Sequence, residues 1–457
     1  KPRMSNLNTR SASLQDADSE EETDETSASV PARDDRSEDS SEASSEALNE
    51  RTFHRGRLLR KLHAFFDDNG PLAAMFAVVF VNLVGFGIVV PLIPFFAQSL
   101  HAQAWQVTWM FTAYSLGQFF AEPFCGRLSD RIGRKPILMI TTGLSVIFYV
   151  LLAFSPNIWA AILVRFLCGL ASGNISTIQG YVSDFSKPEQ RASRMSLIGA
   201  AFSLGFIIGP VIGGLLTHEH FGGNAFRLPL FAAAGLSALA TLGVILFVRE
   251  SRQRTQHSAP PDNLLKTAQE ALKSRVIVRV ILATLCYMMA FAGLEATFGL
   301  WVEVRYNWHA AQIGAVFLFI GATAAIMQMV VMRPLVRRWG ESKVLAAGLF
   351  VFGVSFIFQS VNHVSWLIVP LLMLGTAGQA VIFATICAII SMATPPERQG
   401  AMLGLNMSTG AVARIVGPMV AGFLFSQFGP EAPLWLDAAM AIPAALLALQ
   451  VGKVQKR

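Results

Sequence analysis

At 457 residues, with 53% hydrophobic and only 14% charged side chains and a mean hydropathy of +0.48, the chain carries more apolar surface than a soluble domain could keep from water. The formal net charge of +6 hides a polarity, because residues 1–50 hold 14 acidic and 5 basic side chains while the remainder is basic. Those basic residues sit at the edges of apolar runs and not along a groove, which excludes a soluble enzyme and a nucleic-acid-binding domain.

Residues 1–50 contain almost no large apolar groups, cannot offset the entropy of ordering, and are expected to be a disordered acidic tail. The tail is either a solvated segment or, through Ser40-Ser41-Glu42 and Ser44-Ser45-Glu46, a phosphorylation or docking site. In residues 51–70, Arg55, Arg57, Arg60 and Lys61 alternate with Phe53, Leu59, Leu62, Phe65 and Phe66, as in a helix lying on an anionic leaflet. No cleavable signal is expected before the first span, and the start at Lys1 suggests a fragment.

From Leu72 onward, apolar runs of about 20 residues alternate with short polar turns, the length that a ~30 Å hydrocarbon core demands of a helix. Twelve spans are predicted, at 72–98, 106–126, 136–155, 158–181, 193–217, 226–248, 277–302, 310–332, 343–360, 364–391, 400–427 and 433–452. With the first residues inside, cytoplasmic segments hold 27 Lys and Arg against two outside, Arg227 and Arg305, so both termini are expected in the cytoplasm. Residues 71–249 and 277–457 then form two six-helix halves joined by a cytoplasmic linker, 250–276, with Pro260-Pro261 at its centre.

An internal repeat supports that division. SKPEQ (186–190) followed by IIGPVIGG (207–214) reappears as TPPER (394–398) followed by IVGPMVAG (415–422), so that Glu189 to Glu397 and Pro210 to Pro418 are both displaced by 208 positions. The stretch 126–133 recurs at 333–340, with Arg337 where Asp130 would be. Repeated halves suit alternating access, in which two bodies rock about a shared midplane site.

The turn between the second and third spans reads GRLSDRIGRKP (126–136). Gly126 and Gly133 permit close approach and a tight turn, while Asp130, Arg131, Arg134 and Lys135 place a charge cluster at the cytoplasmic face. Here the chain resembles the major facilitator superfamily, whose loop between helices two and three carries this signature. The resemblance implies an all-α membrane fold and a charge relay that steadies one conformer, with Asp184 after the fourth span as a partner acid and a one-sided relay because of Arg337. In the fifth span Gly205, Gly209 and Gly213 share one face beside Pro210 and Gly214. This is either a plain packing face or, because GFIIGPVIGG resembles the helix-five signature of tetracycline and multidrug exporters, the mark of a drug:proton antiporter.

Ionisable residues inside spans are functional candidates because a central charge costs about 2.5–3.5 kcal/mol on insertion scales. Glu295 is the first candidate for reversible protonation, since a carboxyl withdrawn from water can exchange a proton at physiological pH. Glu122, near the cytoplasmic mouth, is either a second proton site or half of a gate ion pair, and Arg165 stands where the family has its helix-four arginine. Arg414 is a counter-charge, a substrate anchor or a packing residue, and Asp437 is expected at the outer interface. Asn82 occupies a first-span position where relatives carry aspartate and cannot titrate. Gln118, Asn174, Gln179 and Gln379 are expected to line a substrate cavity whose apolar wall is Phe and Met.

Cys125, Cys168, Cys286 and Cys387 have no paired spacing and are read as apolar fillers, and no metal-ligand, nucleophile or phosphate-loop pattern occurs, so no cofactor, metal or catalytic centre is expected. The leading expectation is a monomeric plasma-membrane exporter of small drug-like molecules in exchange for protons. The alternatives are a uniporter or proton symporter of a metabolite such as a sugar or organic ion, and a non-transporting receptor or scaffold.

Overall fold

The computed structural model describes residues 70, 72–186, 188–217, 226–251, 264–395 and 398–454, all within one compact unit, residues 68–457. The acidic tail, all but one residue of the basic segment 51–70, linker residues 252–263 and Glu397 of the repeat lie outside the described residues.

Every regular element among the described residues is a helix. In chain order these are α1 (Leu72–Ser99), α2 (Ala104–Ile132), α3 (Arg134–Ala153), α4 (Ile158–Asp184), α5 (Pro188–Leu216), α6 (Arg227–Phe247), α7 (Leu264–Lys273), α8 (Arg275–Tyr306), α9 (Ala310–Trp339), α10 (Glu341–Val361), α11 (Ser365–Met392), α12 (Gln399–Phe428) and α13 (Ala432–Val454). Ten are long and apolar enough to cross a membrane. The two 29-residue helices α2 and α5 are not among them: α2 mixes Gln106, Tyr114, Gln118 and Glu122 with its apolar side chains, and α5 contributes the shorter apolar stretch Leu204–Leu216 among the described residues. Large apolar side chains such as Phe124, Phe247, Leu246 and Met329 stand exposed on the helix exteriors, an arrangement that lipid solvates and water would penalise at about 25 cal/mol per Å². This is an integral membrane protein.

Local sequence explains the irregularities. Pro91 and Pro94 lack amide protons, and α1 tightens there into a 3₁₀ turn at Val90–Leu92. In α4 the regular helix stops at Ala171 and resumes at Ile175, and the interruption at Ser172–Asn174 turns both end residues toward the interior. The 10-residue helix α7 is tied to the foot of α12 by an ion pair between Glu270 and Arg398 at 3.3 Å.

Within α1–α6 the main packing pairs are α2 with α4 and α3 with α6; within α8–α13 they are α10 with α13, α10 with α11 and α8 with α12. Two seams join the sets, α5 against α9 and α2 against α12. Thr112 Oγ1 of α2 donates to the Ile415 carbonyl of α12 at 3.2 Å, and Gln98 of α1 donates to Glu303 of α8 at 2.6 Å. These contacts lie toward the ends carrying the turns near 100, 217 and 308.

Candidate functional site

The expected charge cluster between α2 and α3 assembles around Arg134. Gly133, at φ +109°, makes a turn that side-chain-bearing residues resist, and Arg134 follows as the first residue of α3. Its buried guanidinium reaches Asp130 at 2.9 Å, Asp184 at 3.3 Å and Ser129 Oγ at 2.6 Å. Gly180 of α4 makes room for it, since a Cβ there would fall about 2.4 Å from the guanidinium carbon. Arg131 is exposed, and Lys135 Nζ donates to the Ile245 carbonyl at 2.8 Å. Gly126 packs against Ser176 of α4.

One member of this cluster escaped the sequence reading. Glu250, just after α6, accepts from the backbone amides of Arg134 at 2.8 Å and Lys135 at 3.1 Å, capping α3 where its dipole is positive. Its neighbour Ser251 donates to Asp184 at 2.9 Å. No local motif marks Glu250, because it lies more than 110 positions from what it caps. Replacing Glu250 by Ala is expected to cost about 0.5–2 kcal/mol, the usual value of a lost cap, read as a lower melting temperature in detergent, with Glu250→Gln milder.

At the centre lies a cavity of about 430 Å³, enclosed between α1–α5 on one side and α8, α9, α11 and α12 on the other. Its volume is in the range of roughly 300–1,000 Å³ usual for small-molecule sites. Asn82, Gln118, Asn174, Arg165, Glu295, Gln379 and Arg414 all reach its wall, so seven residues singled out from six helices converge. Gln179, expected with them, is exposed on α4: Ile175 and Ile178 take the inward positions, and Gln179 is turned away by a further helical step. Asn174 is held by donating to Thr141 Oγ1 at 3.3 Å.

Glu122 does not line the cavity. It lies behind the wall, and its carboxylate accepts from Gln118 Nε2 at 2.9 Å. Arg414 is the foremost positive charge acting on both Glu122 and Glu295, with Arg165 second at Glu295. Arg165 is 1% exposed, and its guanidinium lies 4.5 Å above the Tyr114 ring, a residue that the sequence reading did not single out. Gly169 of α4 sits directly on the Tyr114 carbonyl, where any side chain would collide; that close approach of α2 and α4 sets the stack. Nε and Nη1 of Arg165 have no hydrogen-bond partner among the described residues.

A second cavity of about 110 Å³ shares Glu295, Thr376 and Gln379 with the first and is walled by Phe298, Phe317, Phe352 and Phe356. Asp437 is a further correction. Expected at the interface, it is 3% exposed, because α13 turns it inward between α8 and α12, beside Gly293.

Four glycines of α5, Gly205, Gly209, Gly213 and Gly214, form a contact seam with Pro210. Gly205, Gly209 and Gly213 face Leu83, Gly87 and Ile88 of α1, whereas Gly214 and the Pro210 carbonyl meet Ala310 and Gly314 of α9.

The tetracycline resistance protein of class C from Escherichia coli is 26% identical over 385 residues, covering 83% of this chain and 95% of that protein. Major facilitator superfamily domain-containing protein 10 of Mus musculus is 26% identical over 74% of this chain and 76% of its own length. Multidrug resistance protein 2 of Bacillus subtilis is 24% identical over 76% and 86%. Among solved structures, the human organic anion transporter MFSD10 (TETRAN) superposes with a TM-score of 0.62 at 22% identity, covering 83% of this chain and 99% of that one. An inward-facing bacterial homologue of the lysosomal transporter Spinster gives 0.68 at 11% identity, covering 84% and 97%. The Major Facilitator Superfamily model matches residues 75–340 and 306–456, and the chain is therefore a member of that superfamily of small-molecule transporters, similar to tetracycline and multidrug exporters and not an enzyme.

Proposed function

We propose that this protein exports small amphipathic molecules in exchange for protons by alternating access, with Glu295 as the proton carrier. The observation that carries the reading is Glu295 itself, a carboxylate on the wall of the central cavity with Arg414 and Arg165 as its positive neighbours. A side chain so placed meets substrate and proton in one space, so that binding of one affects the other. Arg165 and Glu122 tune that exchange, and the Arg134 cluster stabilises one conformer.

Two six-helix halves, 71–249 and 277–457, are the bodies that rock, with α2 and α5 completing twelve spans. Support comes from equivalent backbone at positions 207 and 208 apart: Gly133 and Gly340 both take positive φ before a helix, and Pro210 and Pro418 both sit inside long helices. The concentration of Lys and Arg in alternate loops supports cytoplasmic termini, and the likeness to tetracycline and multidrug exporters supports a plasma membrane. The seam contacts, gathered at the opposite ends, support reading the present state as one that opens inward.

The test is flux of a fluorescent amphipathic compound in proteoliposomes with and without an imposed pH gradient. Accumulation that follows the gradient supports exchange; accumulation indifferent to it overturns it. A second reading, uniport or symport of a metabolite such as a sugar or organic ion, is favoured by the presence of Asn82 on the cavity wall, where a titrating group would sit in an exchanger. Substrate and proton moving in the same direction in that assay would select it.

A further inference from the structure

The central cavity holds charges of both signs that do not neutralise each other directly. Among the described residues, neither Glu295 nor Arg165 nor Arg414 makes an ion pair within 4.0 Å. Opposite charges in a space of low dielectric attract strongly, and a fold that keeps them apart leaves each with unspent bonding capacity.

The three groups are not equivalent. Arg414 acts on both Glu122 and Glu295 and serves as the internal counter-charge of the two carboxylates. Arg165 is the lesser positive neighbour of Glu295 and differs from Arg414 in its own unmet bonding. It is 1% exposed, clamped on the Tyr114 ring, and its Nε and Nη1 have no acceptor among the described residues, although a buried donor without a partner costs about 1–3 kcal/mol and more for a charged group. Glu295 in turn accepts no side-chain hydrogen bond among the described residues and borders both the main cavity and the aromatic side chamber.

We propose that the cavity selects amphipathic zwitterions, the acid group of the ligand seated on Arg165, its protonated amine on Glu295, and its apolar body in the chamber of Phe298, Phe317, Phe352 and Phe356. The inference rests on reading this cavity as the site of the transported molecule. The division of labour also explains exchange: a proton and the ligand's ammonium compete for Glu295, so loading one releases the other, while the acid end on Arg165 holds the ligand in register. A ligand with only an acid would leave Glu295 facing an additional negative charge, and one with only an amine would leave Arg165 without an acceptor.

The experiment is equilibrium binding to the full-length protein in detergent, followed by ligand-induced thermal stabilisation at constant pH. The probes are four derivatives of one aromatic scaffold: an arylalkyl carboxylate, an arylalkyl primary amine, the amino acid carrying both groups, and its uncharged ester-amide. The amino acid is expected to bind about ten-fold or more tightly than either singly charged probe, the discrimination that one charged hydrogen bond supplies. Arg165→Gln is expected to remove the amino acid's advantage over the amine, with Arg165→Lys intermediate; Glu295→Gln should remove its advantage over the carboxylate. Equal affinity for the amine and the amino acid in the wild-type protein, a measurement that needs no variant to fold, would overturn the proposal, as would a carboxylate that equals the amino acid. Binding is read without a proton gradient, so failure of proton exchange leaves these ratios untouched, and failure of the ratios leaves exchange standing.

Discussion

Glu295→Gln is expected to abolish proton-driven accumulation while leaving the fold and the cavity intact. Glutamine matches glutamate in shape but cannot ionise, so the variant isolates the proton from the packing. One proton moving down a membrane potential supplies about 2.3 kcal/mol per 100 mV. At 1.4 kcal/mol per factor of ten, that sustains an accumulation ratio of roughly 50-fold, and a carrier without its proton falls back toward a ratio of one. Exchange of labelled for unlabelled substrate at constant pH needs no net proton movement and should persist. Glu122→Gln serves as the comparison: its carboxylate lies behind the cavity wall, held by Gln118 at 2.9 Å, so that loss is expected to slow flux without uncoupling it. Proton-driven accumulation that is undiminished in Glu295→Gln would overturn the assignment, and uncoupling by Glu122→Gln alone would transfer it.

Much of this architecture is legible in the sequence because the bilayer imposes a length on every span. The predicted runs 343–360 and 400–427 correspond closely to Glu341–Val361 and Gln399–Phe428. Ionisable residues inside those runs are equally conspicuous, since few exist, and Arg165, Glu295 and Arg414 meet at one cavity. What periodicity does not give is which way a polar side chain faces on a helix that is apolar all round. Gln179 and Asp437 were misplaced for that reason: Gln179 is exposed and Asp437 buried, and the choice is made by neighbouring helices. Glu250 and Tyr114 were missed because their partners, the amides of Arg134 and Lys135 and the guanidinium of Arg165, come from other helices. Within the charge cluster expected in the 126–136 turn, the structure pairs Asp130 with Arg134, neighbours at i and i+4, a choice among three basic residues that composition alone left open.

Gly209→Val is expected to eliminate folded protein, and Gly209→Ala to impair both stability and flux. A Cβ at Gly209 would fall 2.5 and 2.6 Å from the backbone carbon and Cα of Gly87 and 2.7 Å from the Val84 carbonyl oxygen. These are all main-chain atoms of α1, so no side chain can swing away, and overpacking costs of about 1–3 kcal/mol apply even to a methyl group. Gly235→Ala in α6 is the control, because nothing lies within 4 Å of the added carbon and alanine is a better helix former by about 1 kcal/mol. Melting temperature in detergent and monodispersity on size exclusion should therefore fall for Gly209→Ala and hold or rise for Gly235→Ala. A Gly209→Ala protein as stable and as active as wild type would show that the seam tolerates separation. The same turn of α5 presents the Pro210 carbonyl to Gly314 of α9, 2.7 Å from an added Cβ, and this contact crosses between the two sets of helices. Gly314→Ala therefore burdens a seam that must part for the cavity to open to the other side, whereas Gly209→Ala burdens one that stays closed. Flux lost with little change in melting temperature at Gly314, against both lost together at Gly209, would separate the moving seam from the fixed one.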